Sequence, residues 1–516
     1  MRASGILLHI SSLPSPHGIG TMGAAAKDFV DFLVKAGQAY WQILPVCPTS
    51  YGDSPYQSFS TFAGNPYFID LDLLAKAGLL QPEDYESIDW ESTPGCVNYG
   101  ALYQKRYAVL HKACARLLAA PPADYADFLA KNAFWLPDYA LFMALKDAHN
   151  GVCWQQWEEP LRRREPETLA AARAKYAADI DFWQAVQYLF YTQWHDLKAY
   201  ANAQGIEIIG DLPIYVAEDS VDVWSCPQEF QLDENLVPTE VAGCPPDGFS
   251  ATGQLWGNPL FDWDAMAANG YAWWVRRIRH LCGIYDVLRI DHFRGFAGYY
   301  AIPYGDKTAE NGRWRTGPGY ALFATVKKEL GSPRIIAEDL GFLTDDVRAL
   351  LKECAYPGMK VLEFAFDSRD GGDYRPHSYP TNCIAYTGTH DNEPVDGWFG
   401  TALPDDIERA IQYLNLTKEE GMNWGMMRGI WSSVADLAVV QAQDVLGLGH
   451  EARMNTPATL GGNWCWRALP GAFTPELAQK LHDAMELYGR LPEEPAAEPD
   501  GTEKSEDAEK AAEPKT

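Results

Sequence analysis

The sequence predicts an α/β fold: a closed (β/α)8 barrel of parallel strands with inserted, mostly helical subdomains and no separate C-terminal β domain. Three observations predict it. Short aliphatic runs alternate with helical patterns along most of the chain, which is the order of a parallel sheet with crossover helices. Eight such runs can be counted, the number that closes a barrel. Four of them break into charge within a few residues, as strands do when their C-terminal ends face one cleft. A doubly wound open sheet is the alternative on these grounds.

Taken in order, the strand candidates begin with Gly5–Ile10 and Tyr40–Val46. Between them stands Gly18-Ile-Gly20-Thr-Met-Gly23, formally a dinucleotide fingerprint, ahead of an amphipathic helix over 24–36. The context is wrong for a dinucleotide: two prolines separate strand from glycines, and the second strand ends in Pro and Cys with no acid for a ribose. A turn into a helix fits better. From 47 to 204 the texture changes to an inserted region, opening on loop-like Tyr51-Gly-Asp-Ser54-Pro-Tyr56 and continuing as helices near 100–118, 136–148, 166–179 and 181–204. Strands then resume at Ile206–Leu212, Tyr285–Ile290, Arg334–Glu338, Met359–Phe364, Cys383–Tyr386 and, more weakly, Ala438–Gln443. Residues 243–257 read as a Pro/Gly-bounded loop. The barrel domain runs over 1–490. From 491 to 516 nine acids face three lysines with no aromatic, a composition that cannot bury enough to order itself and predicts a disordered acidic tail.

Composition narrows the class. A formal charge of −28 repels nucleic acid and anionic membranes alike. The ten cysteines are scattered without a C-x-x-C pair, which is neither a disulfide framework nor a zinc site and suits a reducing cytoplasm. No apolar run approaches the roughly 18 residues of a spanning helix, and the N-terminal run turns polar too quickly for a signal peptide. The expectation is a soluble cytoplasmic protein. The 18 Trp and 27 Tyr are mostly core, with a minority left over as flat platforms for sugar rings.

The chemistry lies in the strand ends. In Val287-Leu-Arg289-Ile-Asp291-His292, alternation puts Arg289 and Asp291 on one face and the aliphatics on the other. Asp211, Glu338 and His390-Asp391 close three further strands, and a barrel gathers all of these at one rim. A single acid there would be a helix cap or an ion pair; four strands ending in acids demand more. No calcium-type loop, H-E-x-x-H or phosphate loop is present, so neither a metal nor a cofactor is implied. Paired carboxylates without metal are the equipment of glycoside cleavage. On this reading Arg289 holds Asp291 ionised, while crowding by Asp291 and Asp391 raises the pKa of Glu338.

Arg289-Ile-Asp291-His292-Phe293, Ala337-Glu338-Asp339-Leu-Gly341 and Thr389-His390-Asp391-Asn392 resemble the three catalytic regions of the α-amylase clan. Gly210-Asp211-Leu-Pro-Ile-Tyr215, Pro245-Pro-Asp247-Gly-Phe249 through Gln254-Leu-Trp256-Gly-Asn-Pro, Ser54-Pro-Tyr56-Gln-Ser and the opening Arg2-Ala-Ser-Gly-Ile-Leu-Leu-His narrow it to the 4-α-glucanotransferases, the amylomaltases or disproportionating enzymes. The resemblance runs from residue 2 to about 470. The clan's usual histidine after the third strand is absent, as in this subfamily.

That resemblance implies retaining transfer on α-1,4-glucans (maltooligosaccharides, amylose, glycogen) as donor and acceptor. Asp291 is the implied nucleophile, Glu338 the acid/base and Asp391 the binder of the distorted sugar. Arg289, His390, His292, Asp211, Ser54, Tyr56, Asp247, Gln254 and Asn463 are implied contacts. Phe249 and Trp256 belong to a lid over the acceptor side, with local packing as the alternative for both. Tyr51 and Tyr99 suggest a secondary glucan surface. A hydrolase with the same acids and an inactive glucan-binding barrel are the rival readings, the second disfavoured because all three acids are present.

Overall fold

Aliphatic runs without polar alternation need cover on both faces, and the strands of the barrel fall on them. Val287–Ile290, Cys383–Tyr386 and Leu437–Gln441 are buried at every position. The computed structural model describes residues 2–246, 250–341, 343–369 and 374–493. Among them the strands are β1 (Ala3–Leu7), β2 (Tyr40–Gln42), β3 (Glu207–Leu212), β4 (Glu240–Cys244), β5 (Gln254–Pro259), β6 (Val287–Ile290), β7 (Gly298–Pro303), β8 (Arg313–Thr316), β9 (Ile335–Ala337), β10 (Gly358–Val361), β11 (Cys383–Tyr386) and β12 (Leu437–Gln441). Eight of them, β1-β2-β3-β6-β9-β10-β11-β12, form a closed parallel barrel. The last strand returns to the first in a continuous register, from Ala3 opposite Leu437 to Leu7 opposite Gln441. All eight aliphatic runs of the sequence fall on barrel strands: Cys383–Tyr386 agrees to the residue, and the others differ by one to four residues at one or both ends.

The other four strands form an antiparallel sheet in the order β5-β4-β7-β8, which the sequence did not predict. Its pairings flank β6 in the chain: β4 joins β7, Glu240 opposite Pro303, and β5 folds back on β4. The segment read as a loop over 243–257 therefore carries strand at both ends, the end of β4 and the start of β5, paired antiparallel. Gln254 and Trp256 stand on β5.

Helices at Tyr99–Ala119, Leu136–Ala148, Pro166–Lys175 and Ala177–Ala203 are the longest elements of the region between β2 and β3. The last is 27 residues long, because the pattern continues back through Asp179–Asp181 where the sequence suggested a break. It fixes the extended stretch before it through two glutamines. Gln187 exchanges hydrogen bonds with the backbone N–H and C=O of Gly64 (2.7 and 2.9 Å), and Gln193 does the same at Asp70 (2.7 and 3.1 Å). A buried pair completes the docking: Asp222 accepts from the Thr61 amide, and the Arg277 guanidinium donates to the Thr61 hydroxyl. Burial pushes the Asp222 carboxyl up to about 6, against the pull of these partners. The chain from 47 to 63, with Ser54 and Tyr56, is thereby held against the barrel rim.

The glycines of the formal dinucleotide motif serve close packing. A Cβ on Gly20 would sit 1.9 Å from the Ile10 carbonyl, and one on Gly23 would meet the Asp70 carboxylate at 2.0 Å. The helix that follows, Ala24–Lys35, packs against the C-terminal helix Pro475–Leu487. Leu491, which the sequence places at the head of the tail, still packs on this core beside Gly37. The remainder of the tail, 494–516, lies outside the described residues, and no helix among those described is long and apolar enough to cross a membrane.

Candidate active site

Parallel pairing decides where the acids stand. Ile290 on β6 is opposite Ala337 on β9, so the next residues of the two chains, Asp291 and Glu338, emerge side by side at the rim. The ladder continues past them: the Glu338 amide donates to the Ile290 carbonyl, and the Phe293 amide donates to the Glu338 carbonyl, both at 3.0 Å. Asp211 on β3 is opposite Arg289 on β6 in the same way.

Arg289 is the buried cation of the cluster, 4% exposed. Its Nη1 donates to both oxygens of Asp211, at 2.8 and 2.7 Å, and to Asp291 Oδ1 at 3.1 Å. The shorter contacts go to Asp211. This corrects the expectation that Arg289 simply keeps Asp291 ionised. Burial raises the Asp291 carboxyl well above the ordinary range; Arg289 opposes the rise, while Asp211, Glu338 and Asp391 add to it. Asp211, Asp291 and Glu338 all lean on Arg289, and with burial the leading cause the Asp291–Glu338 pair holds a proton more tightly than free carboxyls do.

Glu338 is gripped by backbone. Its Oε2 accepts from the His292 amide at 2.7 Å and its Oε1 from the Leu340 amide at 2.8 Å. His292 reaches that position in a left-handed conformation, φ +49°, which strains a non-glycine residue and is a feature of tightly specified sites. The Glu338 pKa is raised, as the sequence suggested, but the leading cause is burial rather than crowding by Asp291 and Asp391. Arg289 and the two amides oppose the shift, and Asp339 adds to it.

The third acid sits after β11. Asp391 Oδ1 accepts from Asn455 Nδ2 at 2.6 Å and lies 3.4 Å from His390 Nε2. The His390 ring stacks on Tyr56 (5.0 Å, 14°), and the Tyr56 hydroxyl donates to Asp211 Oδ2 at 2.8 Å. Trp464 tilts against both rings at 5.8 Å. Burial lowers the pKa of His390 and pushes His292 down to about 3, so both imidazoles are neutral near pH 7. The Trp256 ring meets His292 edge-on at 4.8 Å, and its indole N–H donates to Gln254 at 3.1 Å.

Asp211, Asp291, Glu338, His390, Asp391, Arg289, His292 and Tyr56 are thus brought together, with Trp256 and Gln254 beside them. Ser54 supports the group indirectly, its hydroxyl accepting from the Tyr56 amide at 3.2 Å. Asn463 spends both ends of its amide on its own loop, accepting from the Thr456 amide and donating to Thr459. Tyr99 turns its hydroxyl inward to the Trp464 carbonyl at 3.0 Å, beneath that loop. Tyr51 opens the short 3-10 turn Tyr51–Asp53. Asp247 and Phe249 lie outside the described residues. Sequence reasoning missed Asn455, Arg453 and Trp464, which reach the site from a segment without a strand. The only signal was the Gly-Gly-Asn-Trp turn, where Trp464 takes φ +64°.

A parallel eight-stranded barrel whose rim sets a buried and a half-buried carboxyl side by side on neighbouring strands defines a carboxylate-driven, carbohydrate-active enzyme. The family model described as 4-alpha-glucanotransferase, that of glycoside hydrolase family 77, matches residues 8–471. The chain belongs to this family. It is 50% identical to a 4-alpha-glucanotransferase of Clostridium butyricum over 94% of this chain and all of that one. Against the Thermus thermophilus 4-alpha-glucanotransferase the figure is 47%, over 95% and 99%. The amylomaltase of Streptococcus agalactiae, solved in complex with acarbose, superposes with a TM-score of 0.93 at 43% identity, covering 95% of this chain and 100% of that one.

Proposed function

We propose that this protein moves α-1,4-glucan segments between maltooligosaccharides or longer chains by a retaining double displacement. In the first step an Asp291 oxygen attacks the anomeric carbon, the glycosidic C–O bond breaks, and Glu338 gives its proton to the leaving oxygen. In the second, Glu338 takes the proton from an acceptor hydroxyl, which displaces Asp291 from the same carbon. Asp391 and His390 face the sugar being distorted, and Tyr56, Asp211 and Trp256 border it on either side.

The observation that carries this reading is the pairing of β6 with β9. Neighbouring strands lie about 4.8 Å apart, so the two carboxyls emerge on adjacent strands, the close placement that a covalent intermediate calls for. The raised pKa of the buried pair supplies the shared proton that the first step consumes. The ten free cysteines fit a reducing compartment, and we place the enzyme in the cytoplasm.

Maltotriose as sole substrate tests the proposal. Transfer gives glucose together with maltopentaose and longer chains, at nearly constant reducing ends. Products no longer than maltotriose, with reducing ends rising steadily, would establish a hydrolase instead.

A further inference from the structure

We propose that Arg453 is a positioning residue for Asp391, acting through the backbone as well as through Asn455. This rests on the role given to Asp391 above. The acid has few direct constraints of its own: it follows β11 on a turn, is partly open to the cleft, and among the described residues only Asn455 Nδ2 donates to its carboxylate within 3 Å. Arg453 fixes both parts of that arrangement at once. Its Nη2 donates to the Asp391 carbonyl at 2.6 Å, and its Nε donates to the carbonyl of Asn455 at 2.8 Å. The guanidinium therefore joins the backbone of the acid to the backbone of the residue whose amide holds that acid. The Asn455 amide closes the loop by donating to the His390 carbonyl at 3.1 Å.

The guanidinium is itself held. Nη1 donates to Glu393 Oε1 at 2.6 Å, and Glu393 is 8% exposed. On the outer side His450 Nδ1 lies 3.0 and 3.1 Å from the two Glu393 oxygens. Behind it, the Glu393 carbonyl accepts from Gln441 at the end of β12. The chain of contacts thus runs from a barrel strand through Glu393 and Arg453 to Asp391. Three acceptors in three directions within one plane are what a guanidinium can satisfy and an ammonium cannot. None of these contacts places Arg453 against substrate; its work is done on the orientation of Asp391.

Turnover depends on such orientation, because a carboxylate that stabilises a developing oxocarbenium charge loses its effect when displaced by an ångström. The test is a double-mutant cycle on the full-length enzyme, with transfer from maltotriose and reaction with α-glucosyl fluoride as the two rates. Arg453→Ala is expected to lower kcat roughly 30- to 100-fold on both donors while KM stays within about threefold. Arg453→Lys, which keeps charge and volume, is expected to fold like the parent and recover only part of that loss. In an Asp391→Asn background the Arg453→Ala change is expected to cost less than about threefold, since the group it positions is gone. Losses that multiply in the double variant overturn the proposal, as does full activity in either Arg453 variant. Should Asp391→Asn itself keep the parent rates, the role of Asp391 fails, and that outcome is distinct from a failure at Arg453.

Discussion

At the scale of single residues, Asp291 and Glu338 are distinguished by their partners. Glu338 is held by two backbone amides, which side-chain changes other than to proline leave in place. Among the described residues Asp291 has a share of Arg289 alone. A glucan has a poor leaving group and needs the Glu338 proton; fluoride hardly needs it. Glu338→Gln is expected to lose about 10²–10⁴-fold on maltotriose. On α-glucosyl fluoride it should still react and then stall, with one glycosyl unit mapped by peptide mass to Asp291. Asp291→Asn is expected to be inactive on both donors, and also more stable. Because folding raises the Asp291 pKa, the wild-type carboxyl contributes favourably only when protonated, and that contribution is lost as pH rises above the ordinary carboxylate value of about 4. The thermal midpoint of Asp291→Asn should therefore exceed the parent's at pH 8, and the difference should vanish near pH 3.5. An unchanged midpoint across that range contradicts the burial argument. These acids were legible in the sequence because each interrupts an aliphatic run at a strand end. Arg453 and Asn455 were not, because they lie more than 60 residues beyond Asp391 in a segment without a strand, and contacts at that separation leave no trace in residue pattern.

At the scale of elements, the β4–β5 hairpin shows where reading by periodicity stops. The barrel strands are continuous aliphatic runs buried on both sides, a pattern visible in a single sequence. Glu240-Val-Ala-Gly-Cys and Gln254-Leu-Trp-Gly-Asn-Pro are short, broken by glycine and proline, and exposed in part, so they read as loop. What makes them strands is the pairing of β4 with β7, some 60 residues away, and of β5 with β4 in turn. The consequence is a Trp256 held on a ladder rather than on a free flap. Gln57 also reaches β5, its Nε2 lying 3.2 Å from Asn258 Oδ1 and 3.5 Å from the Trp256 carbonyl, which ties the hairpin to the inserted region. A ring fixed in this way, edge-on to His292, is suited to exclude water and to stack an acceptor sugar. Trp256→Ala is expected to raise the ratio of hydrolysis to transfer about 3- to 10-fold, measured as reducing ends gained per glucosyl transferred. If the rate falls with the ratio unchanged, the ring serves packing alone.

At the scale of the whole molecule, the two ends of the chain close the barrel together. The first strand is short, and just before it Arg2 donates to the carbonyls of Tyr488 (2.7 Å), Trp431 (2.6 Å) and Ser433 (2.7 Å). From the other end Arg490, fully buried, donates to Trp431 (2.8 Å), to Ala3 (2.7 Å), and to Ala435 and Ser433 (3.1 and 3.2 Å). The two side chains share the carbonyls of Trp431 and Ser433, in the turn that leads into β12. Between them they bind the first strand, the last strand and the C-terminal helix into one joint. The backbone agrees, since the Ala3 amide donates to the Asp436 carbonyl at 2.8 Å just before β1 and β12 pair. Removing Arg490 strips several charge-assisted bonds from buried carbonyls, a loss of about 3 kcal/mol or more. For a chain of this size that corresponds to a fall in thermal midpoint of about 3 °C or more. Deleting 494–516, with its excess of acids and lack of aromatics, should leave the midpoint and the transfer rate unchanged. A cut after Arg490 lies between these, since it also takes the half-buried Leu491. Calorimetry on Arg490→Ala and the two truncations puts them in order. If deletion of 494–516 proves as costly as Arg490→Ala, the joint is not where the chain is closed, and residues beyond Glu493 contribute to it.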